Sequence, residues 1–259
     1  FRNFCRVVPA DDLQGAAGAW WAQSLGVKKV YILDDKELYG KGLANVFEKS
    51  CKERHIEVLG HEGIDSKAPD YRAVVNKIRE AGAELVYFGG ITQNGSGKIV
   101  KDLRDSGSNA YFMGPDANKE SAFLEAAGPA AEGALITLGG LPPEQMNDEA
   151  KAWYARYRQR FQSEPEAYAI YSYEAMQVTL KAIARVGVLG DWSFDKNGDT
   201  TITSMSGYEV VGGKFEFSAA LAPATPPEKL TLKGKKGEQA AGGANAFQIF
   251  LEQLLSGLA

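Results

Sequence analysis

The feature that most constrains this chain is a repeated alternation of two patterns over residues 1–139. Short apolar runs recur at residues 29–33, 56–59, 84–88, 111–113 and 134–138, each bounded by Gly, Asp or Pro. Runs that are apolar on successive residues suit strands covered on both faces of a parallel sheet. Between them lie segments of helical period at residues 13–25, 42–54, 71–81 and 98–106. In the second, Leu43, Val46, Phe47 and Cys51 share one face. In the third, Tyr71, Val74, Val75 and Ile78 do, with Asp70 placed to cap the start and Gly82 to end it. Strands alternating with helices of this length imply right-handed βαβ units. The expectation is a doubly wound α/β lobe. The opening run FRNFCRVV reads as a further strand. It shows no initiating Met and no apolar leader, as a trimmed chain or one cut from something longer would.

The alternation then stops. Residues 144–161 and 166–186 read as two consecutive helices rich in aromatics: Trp153, Tyr154, Tyr157, Phe161, Tyr168, Tyr171 and Tyr173. A turn at residues 195–199 follows. Then comes a hairpin with arms at 208–211 and 214–217, joined by Gly212-Gly213. Residues 219–245, rich in Ala, Pro, Gly and Lys, read as a linker. Residues 246–259 read as an apolar helix. The expected organisation is residues 1–139 plus 204–218 as one lobe and 140–203 as part of another, followed by the linker and the terminal helix.

Composition removes several function classes. Of 259 residues, 44% are hydrophobic and 24% charged, which is ordinary for a globular chain. No stretch approaches the roughly 20 apolar residues of a membrane helix. The net charge of −4 and the lack of a Lys/Arg stripe with interleaved aromatics argue against nucleic acid as a partner. Two cysteines make neither a disulfide scaffold nor a four-thiolate zinc site. Cys5 and Cys51 read as two buried thiols, or as a disulfide if their strand and helix pack face to face.

Most chemical motifs fail on spacing. Asn94-Gly95-Ser96-Gly97-Lys98 lacks the first Gly and the final Ser or Thr of a phosphate loop, since Thr92 and Ile99 stand there. Asp34-Asp35 ends a strand as an acid pair would, yet Phe88 is followed by Gly89-Gly90 and not by a third acid, so the pair reads as capping its own loop. His55 and His61 lack the companions of a metal or His-based catalytic site and read as surface residues. No nucleophile–base pair and no cofactor signature emerge. What remains is a set of residues just beyond strand ends, where doubly wound sheets bind ligands: Tyr39, Ile91, Thr92 and Asp116, with Tyr168 at the head of the second aromatic helix. A carboxylate for an ammonium group, two tyrosines and an apolar contact suit a small zwitterion with an apolar side chain.

Several ordered segments carry a resemblance. They are Asp34-Asp35-Lys36-Glu37-Leu38-Tyr39-Gly40-Lys41-Gly42, Val86-Tyr87-Phe88-Gly89-Gly90, Phe112-Met113-Gly114-Pro115-Asp116, Ala131-Glu132-Gly133, the run from Tyr168 to Ala175, and Trp192 to Asp199. Together they resemble the leucine/isoleucine/valine-type periplasmic binding proteins of ABC transporters, over roughly residues 1–218. The resemblance implies a flavodoxin-like lobe of a type I Venus-flytrap, here with an incomplete second lobe. It implies Tyr39, Ile91 and Asp116 lining the cleft, Asp116 taking the ligand ammonium, and Tyr168 facing them from beyond the second crossing. Ile91 stands where branched-chain binders often present an aromatic. The implied function is capture of a branched-chain or related small amino acid without chemical change, at the periplasmic or outer face of the membrane, with a membrane permease as partner. A ligand-sensing receptor lobe and an enzyme on a doubly wound fold are the alternatives.

The family carries a further stretch before this start, holding most of the first lobe. The tail from Phe247 to Ala259 resembles the opening of the permease subunit. The expectation is a fragment of a binding-protein–permease fusion, or a joined partial gene.

Overall fold

The structure, a computed structural model, describes residues 6–182 and 205–221. These fall into two compact units. The first holds residues 11–141 and 205–221, and the second residues 6–10 and 142–182.

The first unit is a sheet between two helical layers. Its strands are β1 (Lys29–Asp34), β2 (Glu57–Gly63), β3 (Leu85–Gly89), β4 (Tyr111–Gly114), β5 (Leu135–Gly139), β6 (Met205–Val211) and β7 (Lys214–Leu221). They stand in the order β2-β1-β3-β4-β5-β6-β7. The pairs from β2 through β5 are parallel, and β6 and β7 add antiparallel to that edge. Helices α1 (Asp11–Ser24) and α2 (Leu38–Glu53) cover one face. Helices α3 (Arg72–Glu80), α4 (Ser96–Asp105) and α5 (Ser121–Ala127) cover the other. Alternate residues of each strand serve opposite layers. Val30, Ile32, Leu85, Tyr87, Met113 and Leu135 join Trp21, Phe47 and Cys51 on the α1/α2 side. Tyr31, Leu33, Val86, Phe88, Phe112 and Ile136 join Ile78, Leu103 and Phe123 on the other. Two-sided burial is the reason these strands read as unbroken apolar runs.

The structure departs from the sequence reading in four places. Arg6 to Val8 form no strand; Val7 and Val8 pack against the aromatic helices of the second unit instead. Helix α2 begins at Leu38, ahead of the expected residue 42, because Gly40 and Gly42 lie inside it despite their low helix propensity. Strand β2 runs on through the polar segment Gly60-His61-Glu62-Gly63, as an edge strand can. The hairpin does form around Gly212 (φ 58°) and Gly213 (φ 75°), the two positive φ values of a two-residue turn. Its second arm continues to Leu221, three residues into the expected linker, because Leu221 is buried on the α1/α2 side.

In the second unit, α6 (Asp148–Phe161) is capped by Asn147, whose side-chain oxygen accepts from the Ala150 N–H at 2.9 Å. Acids fill its first turn and Arg158 and Arg160 its last, as the helix dipole favours. Helix α7 spans Ala169–Ala182. Ala150, Trp153, Ile170 and Tyr171 form the buried cluster, and the Trp153 ring meets those of Tyr154, Tyr157 and Tyr173 at 5.1, 5.4 and 5.6 Å. The turn expected at residues 195–199, Cys5, and the terminal helix with its permease resemblance lie outside the described residues. Among the described residues, no helix is long and apolar enough to cross a membrane.

Candidate functional site

The strand order reverses direction at β1 and β3. These neighbours send their following helices to opposite faces, α2 to one and α4 to the other. A crevice opens beyond the carboxyl ends of strands at such a point. The segments that follow β1, β3 and β4 meet there, and they carry Tyr39 in the first turn of α2, Ile91 with Thr92, and Asp116.

Asp116 and Tyr39 come together. The Tyr39 hydroxyl donates to Asp116 Oδ1 at 2.8 Å, although the two lie 77 residues apart. Burial raises the Asp116 pKa above the ordinary carboxylate range, and nearby Asp11 adds to the rise. The Tyr39 hydroxyl and the Gln14 amide, both facing the carboxyl, pull it partly back. Burial and the Asp116 charge push the Tyr39 pKa far upward, so this phenol stays a donor. Gln14 is itself held by its amide N–H groups, which donate to the Thr137 carbonyl at 3.0 Å and hydroxyl at 3.1 Å. Among the described residues no cation pairs with Asp116. An acid raised by burial and flanked by donors is poised to accept a cation, which would return it to its charged form.

Ile91 and Thr92 are held by neighbouring loops. Ile91 is half-buried and Thr92 buried. The Thr92 hydroxyl donates to the Ala117 carbonyl at 3.1 Å, and the Asn118 amide donates to the Gly90 carbonyl at 3.0 Å. These two bonds tie the β3 loop to the Asp116 loop. The Asp34-Asp35 pair caps its own loop, as expected: Asp34 Oδ1 accepts from Lys36 N–H at 2.8 Å and Asp35 Oδ1 from Glu37 N–H at 3.1 Å.

The glycines of these segments have a steric cause. The first turn of α2 lies directly on the end of β3. A Cβ on Gly40 would collide with Asp35 Oδ1 and the Gly89 carbonyl, and one on Gly89 with the Gly40 carbonyl. Only two bare backbones can approach this closely.

The observations of fold and crevice agree with the comparisons. Residues 1–227 match the family model described as "Periplasmic binding protein". The chain belongs to that family. As a periplasmic binding protein it is 32% identical over 221 residues to "Leu/Ile/Val-binding protein homolog 2" of Brucella abortus (strain 2308), covering 78% of this chain and 58% of that protein. An "Amino acid binding protein" of Pseudomonas aeruginosa is 32% identical over 225 residues, covering 79% and 59%. Among solved structures, the leucine binding protein LivK of Thermotoga maritima MSB8 superimposes with a TM-score of 0.78 at 27% identity, covering 85% of this chain and 68% of that one. The chain thus spans 58–59% of the length of these curated relatives.

Within this periplasmic binding protein, Tyr168 belongs to the second unit, not to the strand-end loops. It is exposed, its ring 6.1 Å from that of Tyr171. Three residues of the crevice were not singled out by sequence reasoning. Asn94 and Asn118 lie three and two residues beyond Ile91 and Asp116, so a wider reading of each loop would reach them. Gln14 arrives from α1, 123 residues in sequence from its partner Thr137, and leaves no local signal. His61 is also not a plain surface residue. Its ring nitrogens lie 2.7 Å from Glu48 Oε2 and 3.1 Å from Asp34 Oδ2. Cys51 is a free, buried thiol whose pKa burial pushes up to about 12, which makes it a packing residue.

Proposed function

We propose that this chain provides the solute-capturing site of an ABC importer for an α-amino acid with an aliphatic side chain, branched-chain or of similar size. The observation that carries the reading is Asp116, a half-buried acid at the switch-point crevice, bonded to Tyr39 and without a cation among the described residues. In this reading Asp116 takes the ammonium group, Tyr39 orients the carboxylate and lays its ring along the ligand, and Ile91 and Thr92 offer the surface for the side chain. The solute leaves unchanged, no reaction is catalysed, and the receiving partner is a membrane permease at the periplasmic or outer face of the membrane. The names of the relatives, Leu/Ile/Val-binding, amino acid binding and leucine binding, support this choice of solute.

Calorimetry of the 259-residue chain against leucine, isoleucine, valine and small amides tests it. The reading expects the aliphatic amino acids to bind, to be recovered intact, and to lose about 30-fold in affinity in Asp116→Ala, since truncating one partner of a buried charge pair costs ~2 kcal/mol or more. Amides binding as tightly as leucine, or an Asp116→Ala chain as strong as the parent, would contradict it.

A further inference from the structure

The crevice contains a second acid that the binding scheme leaves without a task. Asp35 ends the run of β1 and is 4% exposed. Its backbone N–H donates to the Gly89 carbonyl at 3.0 Å, continuing the β1–β3 pairing by one bond. Its carboxylate faces two loops at once. Oδ1 accepts from Glu37 N–H at 3.1 Å, at the start of the turn that carries Tyr39. Oδ2 accepts from the Asn94 side-chain amide at 2.8 Å and, over a longer 3.4 Å, from the Ile91 N–H. A carboxylate that merely capped its own loop would need only the first of these. The other two come from 59 and 56 residues away.

We propose that Asp35 is a positioning residue that sets the spacing between Tyr39 and Ile91, and through it the size of side chain the crevice accepts. The inference rests on the binding reading above. Asp35 touches no ligand in this scheme. It joins the β1 loop to the β3 loop, while Thr92 and Asn118 join the β3 loop to the β4 loop and the Tyr39–Asp116 bond closes the circuit. The carboxylate is suited to this as an amide is not. It offers acceptors on both oxygens, and every group facing it here is a donor. Gly40 and Gly90 must be bare for it to fit, because a Cβ on either would press on one of its oxygens.

The test is a reciprocal swap followed by two readouts. In Asp35→Asn one oxygen becomes an NH₂ that confronts the Asn94 amide and the Ile91 N–H, donor against donor, while the bond to Glu37 survives. Hydrogen–deuterium exchange should then rise about 10-fold across residues 89–97, the change expected from losing about one hydrogen bond's worth of protection, and stay unchanged in β2. Adding Asn94→Asp restores an acceptor opposite the new amide and should bring exchange part-way back towards the parent level, since the Ile91 N–H still faces a donor. Affinity for leucine should fall several-fold more than affinity for alanine in Asp35→Asn, because the ammonium contact serves both ligands and Ile91 serves the larger. The swap should recover part of this ratio.

Unchanged exchange across residues 89–97, a swap that restores nothing, or equal losses for leucine and alanine would overturn the proposal. Should Asp35→Asn fail to fold, Asn94→Ala removes only one donor, and a smaller rise in the same segment is expected. No rise there overturns the proposal equally. A parent chain that binds neither amino acid would contradict the binding reading, and the exchange comparison would still decide whether Asp35 holds the two loops together.

Discussion

In the α/β unit the strands β1 to β5 find covering helices on both faces within a few dozen residues of chain. In the second unit, α6 and α7 share a cluster of four buried residues, and Phe161 and Met176 stay 55% and 56% exposed. The contrast shows what local periodicity can and cannot specify. Where a βαβ unit supplies both sides of its own core, the apolar pattern alone predicts burial. An amphipathic helix predicts only that some partner covers its apolar face, and leaves the partner unnamed.

The largest expected effect separates the two cores. Phe47 is fully buried and stacked on Tyr87 with ring centroids 4.0 Å apart. Phe47→Ala should cost about 3–5 kcal/mol in urea unfolding. It should also raise hydrogen exchange throughout β1 and β3. Trp153→Ala is a truncation of the same class, yet it should leave exchange in those strands at the parent level. Equal loosening of β1 and β3 by both variants would break the distinction between a self-sufficient core and a dependent one.

A smaller effect sharpens the account of the crevice. Gly40→Ala drives a methyl group into the Gly89 carbonyl and should cost about 1–3 kcal/mol. Gly42, two residues on in the same helix, has open space where its Cβ would lie. Gly42→Ala should therefore stabilise the chain, by about 0.5–1 kcal/mol. Thermal melts of the two variants should move in opposite directions. A shift of the same sign would mean that close approach is not what the first glycine serves.

A further effect concerns the pH dependence set by Asp116. Its pKa is raised on folding, so the folded chain binds this proton more tightly than the unfolded one. The resulting stability is present at pH below the ordinary carboxylate range and is lost as pH rises through the raised pKa. Asp116→Asn should therefore melt higher than the parent near neutral pH. The gap should close in acid. Such a gain on removing a residue proposed to bind the ligand is what a site that trades stability for function would show.

Much of this was legible in the sequence, for physical reasons that differ by residue. Strands β1 and β3 were readable because every position is buried but the first of β1, the exposed Lys29, and Asp116 because an acid after Met113-Gly114-Pro115 sits at a strand end. The start of α2 was not, because Gly40 is chosen for contact with β3 against its own helix propensity. The second half of β2 was hidden by its polar residues, which an edge strand tolerates. Gln14 was invisible, since its role depends on a helix meeting β5 across the sheet. Asp35 looked like a loop cap because its nearer bond is one, and only the fold brings Asn94 to its other oxygen.

The central claim is that Asp116 holds the ammonium group of an amino acid at the strand-end crevice. It is tested most directly by the pH dependence of leucine affinity in the parent and in Asp116→Asn. The account predicts that the parent loses affinity as pH falls, beginning above the range of an ordinary aspartate, because the neutral acid cannot pair with the ammonium, and that Asp116→Asn binds weakly at every pH with no such step. A parent affinity that stays flat through the acid range, or an Asp116→Asn chain that binds leucine as tightly as the parent, would contradict it.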